Sequence, residues 1–176
     1  INYPDEIWVF DRHAKNKAKK IFRLPIKLKK NYYFNELKKK LIKKENNNIL
    51  YFCYPDKFEY NNFFKNKITW YKELNAIKKL IKILNKLNSN KKKFKLVLRL
   101  HPKQNLKIIY WKNFYKKIFE KDNIGVKFSK NKNLVDDLSD NNFIVGSHTQ
   151  ALYFSKMLYK KTFTLASKKN LKRIFP

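Results

Sequence analysis

Glycine is nearly absent from this sequence: Gly125 and Gly146 are the two in 176 residues, beside five prolines and one cysteine. A glycine-rich phosphate loop or a dinucleotide fingerprint needs several glycines within a few positions, so both are excluded. The lone Cys53 excludes an intramolecular disulfide and any multi-cysteine metal site, and points to a reducing compartment. Arginine is confined to Arg12, Arg23, Arg99 and Arg173, so 39 of the 43 basic residues are lysine; against them stand 13 acidic residues, for a formal net charge of +30. No apolar run approaches the ~18 residues of a membrane span. The start Ile1-Asn2-Tyr3-Pro4 has no basic-then-apolar signal pattern. A cytoplasmic protein is expected, soluble or peripheral to an anionic membrane. Its opening segment reads as mid-fold material, which points to a chain that continues upstream.

Hydrophobic residues make up 43% and aromatic residues 16% of the chain, enough apolar surface to offset ordering entropy, so this is not a disordered basic tail. The charge attracts polyanions. Lysine, however, rises together with Asn, Ile, Tyr and Phe, the residues of AT-rich codons, whereas readers of nucleic acid favour the planar fork of arginine. Nucleic-acid binding through Lys38-Lys39-Lys40, Lys91-Lys92-Lys93 and Tyr110-Trp111 is therefore the alternative and not the first reading.

Strand-like and helix-like runs alternate, the pattern of βα units. Residues 6–10 predict a short strand and 12–22 a short helix; a lysine-rich connection follows, then a helix marked by Tyr32, Tyr33, Leu37, Leu41 and Ile42. Ile49 to Cys53 is a continuous apolar run, as in a buried parallel strand. Trp70, Leu74, Ile77, Leu80, Ile81, Leu84 and Leu87 trace one stripe of a long helix whose Lys78, Lys79, Lys82 and Lys86 form a solvated face. Strands at 94–100, 125–128, 143–145 and 162–165, with helices at 106–119, 134–138 and 150–158, complete the series. The expectation is an α/β fold, a Rossmann-like doubly wound parallel sheet of about five strands. Residues 1–45 would be the end of a preceding domain and its connection, and 46–176 the sheet domain. With glycine so rare, Gly125 and Gly146 are expected where a side chain is excluded.

Ligands of such sheets bind beyond the carboxyl ends of the strands. Two polar clusters fall there: Arg99, His101, Pro102 and Lys103 after one strand, and Gly146, Ser147, His148, Thr149 and Gln150 after another. Gly146 allows a tight turn, Ser147 and Thr149 offer hydroxyls or an N-cap, and the following helix start presents N–H groups to an anion. His101 suits hydrogen bonding to phosphate, with an imidazole able to carry positive charge as a nucleotide leaves. His13 has no assignable partner, and no ligand pair has useful metal spacing.

The run Arg99-Leu100-His101-Pro102-Lys103, followed by Ser147-His148-Thr149 and then Ala151-Leu152, resembles the carboxyl-terminal half of bacterial GT-B glycosyltransferases. It is most similar to those with His-Pro and Ser-Ser/Thr motifs, which include sialyltransferases, polysialyltransferases and capsule or lipopolysaccharide enzymes using CMP-activated sugars. The likeness spans roughly residues 4–166, and residues 4–10 resemble the last strand of the acceptor domain. The resemblance implies that His101 contacts the donor phosphate and assists departure of the nucleotide. Ser147 and Thr149 would bind the same phosphate, with Arg99, Pro102, Lys103, Gly146, His148 and Gln150 around the donor. It implies a nucleotide-sugar donor, a glycan or glycolipid acceptor, and no metal or other cofactor. His148 stands where the family carries its second hydroxyl, and the acidic motif of the acceptor domain has no counterpart here. A glycerol-phosphate or polyol-phosphate transferase of similar architecture is a further alternative.

Overall fold

The apolar runs of the central region lack the alternation of a half-exposed strand, and each is a strand covered on both faces. The structure is a computed structural model and describes residues 4–42, 44–54, 68–89, 93–147, 149–158 and 160–165. Its main sheet has five strands, all parallel, in the order β5-β4-β3-β6-β7. They are β3 (Asn48–Phe52), β4 (Lys95–Arg99), β5 (Val126–Phe128), β6 (Phe143–Gly146) and β7 (Lys161–Thr164). The chain starts at the centre with β3, steps outward to β5, then crosses back to β6 and β7. This is the doubly wound, Rossmann-like order, with its switch point between β3 and β6. In the ladders Phe52 pairs with Arg99 on one side and Gly146 on the other, so the carboxyl ends of β4 and β6 flank that of β3.

Successive side chains of a strand point to opposite faces, and two cores result. Ile49, Tyr51, Leu96, Leu98 and Val145 meet α3 (Ile68–Asn88) and α4 (Ile108–Glu120) through Ile77, Leu80, Leu84, Trp111, Tyr115 and Phe119. On the other face, Leu50, Phe52 and Ile144 meet Leu138 of α5 (Leu134–Asp140) and Leu152 of α6 (Gln150–Met157). Lys78, Lys79, Lys82 and Lys86 are exposed, as the stripe on α3 requires. The helix expected at 106–119 is divided: a 3-10 helix covers Pro102–Lys107, and α4 starts at Ile108.

A second, two-stranded sheet pairs β1 (Ile7–Val9) in parallel with β2 (Ile26–Leu28), with α1 (Arg12–Ile21) between them. β2 lies in the stretch read as a lysine-rich connection, where three residues among lysines carry no periodicity. α2 (Tyr32–Lys40), capped by Asn31, sends Leu37 into the core under β3 and β6, and Phe34 lies 5.0 Å from Phe154, ring centre to ring centre. α2 thus packs onto the second face of the main sheet.

Both expectations about glycine fail. Neither has a positive φ. A Cβ at Gly125 would meet nothing within 4 Å, and one at Gly146 would make ordinary contacts with Phe52 and Leu152 at 3.5 and 3.6 Å. The left-handed position in this region is Asn123, at φ 56°. Gly125→Ala is therefore expected to hold or raise the melting temperature, by an amount worth about 0.4–1 kcal/mol from the unfolded chain's lost freedom. Gly146→Ala should stay within about 1 kcal/mol. Thermal denaturation followed by circular dichroism checks both; a marked loss at Gly125 would contradict the open space there.

Candidate functional site

The residue before a proline is pushed to extended backbone, and His101, at φ −70° and ψ 145°, leaves β4 in that conformation as the N-cap of the 3-10 helix. The cap is reciprocal. The Lys103 N–H donates to His101 Nδ1 at 3.2 Å, and the His101 N–H donates to Gln104 Oε1 at 2.8 Å. With Nδ1 accepting, the proton of the neutral ring sits on Nε2. The cap thus engages Nδ1 and fixes the orientation of the ring at the end of β4.

Across the end of β3, Thr149 caps α6: its Oγ1 accepts from the Leu152 N–H at 3.2 Å, and its hydroxyl proton remains a donor. The N–H groups of Gln150 and Ala151 have no intrahelical carbonyl to bond. Ser147, expected beside Thr149 as a phosphate ligand, is buried and donates its hydroxyl to Glu73 Oε2 at 3.4 Å. That turns it inward. Gly146 closes β6, Pro102, Lys103 and Gln150 lie on the surface, and His148 and the His13 side chain lie outside the described residues.

Glu73 was not anticipated. It is 5% exposed and gathers three donors: the Tyr51 hydroxyl at 2.8 Å, the Tyr54 N–H at 3.2 Å and Ser147. The Tyr54 carbonyl accepts from the Tyr115 hydroxyl at 3.4 Å, and that oxygen accepts from Gln104 Nε2 at 3.3 Å. A continuous path of hydrogen bonds therefore runs from Ser147 through Glu73, the Tyr54 peptide groups, Tyr115 and Gln104 to the His101 backbone. It joins the ends of β6 and β4 across β3. Burial pushes the Tyr51 phenol well up, reinforced by the Glu73 charge. The same causes raise the Cys53 thiol, while burial, then the charges of Cys53 and Glu73, raise Tyr115. Cys53 is thus an inert core thiol.

Arg99 is committed elsewhere than expected. Its guanidinium pairs with the buried carboxylate of Asp137 and donates to the carbonyls of Asn131 at 3.0 Å and Lys132 at 3.1 Å. Asp137 also accepts from the Ser129 hydroxyl at 2.6 Å and the Asn131 amide at 3.0 Å. This assembly fixes the β5–α5 connection to the end of β4, which makes Arg99 a structural residue. A cavity of about 220 Å³ beside it is lined by Arg99, Leu100, Pro102, Asn105, Lys112 and Asn131, among others.

The alternative aromatic pair for nucleic acid is not available as a pair, since Trp111 is buried in the core. Lys91 and Lys92 lie outside the described residues, among which no cluster of His, Cys, Asp or Glu is placed to hold a metal ion and no helix is long and apolar enough to cross a membrane. No protein-family model matches the chain, and no curated protein matches it either.

Glu73→Ala leaves the Tyr51, Tyr54 and Ser147 donors without their carboxylate and is expected to cost about 2–4 kcal/mol in urea unfolding, with Glu73→Gln costing less because it keeps one acceptor oxygen. An equal cost for the two would contradict the hydrogen-bonded role. Tyr51, Tyr115 and Cys53 have raised native values, so unfolding releases their protons more readily. Their contribution to stability is full below the ordinary thiol and phenol values, about 8.5 and about 10, and is lost as pH climbs beyond them. Melting temperature against pH should fall on the alkaline side, with less fall in Tyr51→Phe than in the parent when each is referred to its own neutral-pH value.

Proposed function

We propose that this chain is the nucleotide-sugar-binding part of a glycosyltransferase, which transfers a sugar from a CMP-activated donor, of the sialic-acid type, to a surface glycan acceptor. The observation that supports it most directly is the placement of His101 and Thr149 on either side of the end of β3, at the switch point of the sheet. Strands β4 and β6 are two ladder spacings apart, roughly 10 Å. A phosphate resting over the end of β3 is then within reach of donors from both sides.

In this reading His101 Nε2–H donates to a non-bridging phosphate oxygen from the β4 side. The Thr149 hydroxyl and the N–H groups at the start of α6 donate from the β6 side. Negative charge that develops on the departing nucleotide is met by donors already in position, so little reorganisation is needed during the reaction. Ser147 serves as an anchor for the β6–α6 turn through Glu73. The lysine-rich skin draws the anionic donor toward the sheet. The base that activates the acceptor hydroxyl belongs to a second domain, and closure of the two domains positions the reactants. This chain by itself binds the donor without turning it over.

His101 has two separable roles, and two substitutions divide them. His101→Ala removes both the cap acceptor and Nε2, whereas His101→Asn retains an acceptor for the Lys103 N–H and loses Nε2. Calorimetric titration with CMP, CDP and UDP is expected to show binding by the parent, strongest for a cytidine nucleotide. His101→Asn should keep the parent's melting temperature within a few degrees and weaken nucleotide binding by about 10- to 100-fold. Absence of nucleotide binding by the parent, or undiminished binding by His101→Asn, would overturn the reading.

A further inference from the structure

The segment that follows His101 carries an apolar surface that the core does not use. Trp111, Tyr115 and Phe119 take α4 into the sheet's core. On the outside, Leu106 is 84% exposed and Ile109 74%, with Ile108 and Tyr110 also exposed beside them. Leaving two large aliphatic side chains almost wholly in water gains nothing for the fold. The surroundings are basic: Lys103, Lys107, Lys116 and Lys117 are all exposed along the same stretch, and its first carboxylates are Glu120, the last residue of α4, which pairs with Lys116 at 3.5 Å, and Asp122 beyond the helix. Protruding aliphatic groups on a stretch rich in exposed lysines form an amphipathic surface suited to the boundary between headgroups and acyl chains.

We propose that the 3-10 helix and first turn of α4 form a docking surface for an anionic lipid bilayer, with Leu106 and Ile109 entering the acyl boundary and the surrounding lysines contacting acidic headgroups. Charge complementarity favours this occupant. A second copy of a chain carrying +30 would be repelled across such a contact. Lysine is long enough to lay its stem along apolar surface while its ammonium reaches the headgroup plane. The surface begins five residues after His101, so a docked molecule presents the carboxyl end of its sheet near the bilayer. The proposal stands independently of nucleotide binding, since vesicle affinity is measured without nucleotide.

The experiment must separate this surface from diffuse attraction, because a chain this basic associates with any anionic surface at low salt. Vesicle flotation at about 0.15 M salt, where the Debye length is about 8 Å, compares phosphatidylcholine vesicles with vesicles also containing phosphatidylglycerol. The double variant Leu106→Ser with Ile109→Ser keeps the net charge. The parent is expected to float with the anionic vesicles and not with the neutral ones, and the double variant to bind them roughly tenfold or more weakly. A second measurement uses the buried, unreactive Cys53 as a silent background. An environment-sensitive label at Leu106→Cys should shift to the blue on anionic vesicles, while the same label at Lys78→Cys, on the exposed face of α3, should not. Failure of the parent to bind, undiminished binding by the double variant, or equal label responses at the two positions would each overturn the proposal. Should the double variant fail to fold, the pair of labels decides.

Discussion

Glu73 is a carboxylate enclosed where the two central strands end, and the arrangement of the carboxyl face follows from it. An enclosed carboxylate is tolerable when donors surround it, and removing them leaves a charge without compensation. Tyr51 supplies one donor from inside β3, the Tyr54 N–H a second where β3 ends, and Ser147 a third where β6 ends. The three come from two different strands and meet on one residue of α3. The relative heights of β3 and β6 at the switch point are thereby set by hydrogen bonds as well as by the ladder between them. The Tyr54 carbonyl extends the constraint to Tyr115 and Gln104, and so to the turn that carries His101.

This use of a carboxylate belongs to a wider division of labour between scarce and abundant charges. With 13 acidic residues against 43 basic ones, the acids that matter to the fold are placed where lysine could not substitute. Asp137 holds Arg99, Ser129 and Asn131 together, Asp11 caps α1 through the Ala14 N–H, and Asp140 takes Lys44 and Asn131 at 2.6 and 3.0 Å. Those two partners hold the Asp140 carboxyl below the usual carboxylate range. Lysine, strongly hydrated and flexible, covers the outside of α3, where its charge acts on partners at long range and leaves packing alone. The basic skin and the carboxylate contacts therefore answer different physical demands, and the net charge by itself selects no function.

The strands and helices of the main sheet were legible because each is a run with one period: unbroken apolar residues for β3, β4 and β6, and a three-and-four spacing for α3. β2 was not, since Ile26-Lys27-Leu28 is too short to show a period and is stabilised by its partner Ile7-Trp8-Val9. The candidate site was legible in its outline, from His101-Pro102 and the turn around Thr149, and illegible in its support. Tyr115 gains its role from the Tyr54 carbonyl, far off in sequence, which no local pattern reports, whereas Gln104 closes the local cap at His101. Glu73 did leave a trace. It lies three residues after Trp70 and four before Ile77, on the apolar stripe of α3, and a glutamate on such a stripe requires buried donors. Asp137 sits in the same way between Leu134 and Leu138.

A buried carboxylate beneath the anion site proposed above is at first sight a contradiction, since like charges repel in a poorly screened interior. The geometry resolves it by distributing the charges. Ser147 directs its hydroxyl down to Glu73, which neutralises part of that field and removes Ser147 from the set of ligands. In the proposed reading the ligands are then dipolar donors: the His101 ring, whose Nδ1 accepts from the Lys103 N–H, the Thr149 hydroxyl, and the first N–H groups of α6. Donors of this kind hold an anion by direction more than by net charge, and their positions are fixed by caps that exist before any ligand arrives. In that reading, affinity for the anion at long range would come from the lysines, and its orientation at short range from these caps. Changing a surface lysine should thus alter salt dependence and approach, whereas changing the cap at His101 alters the bound geometry itself.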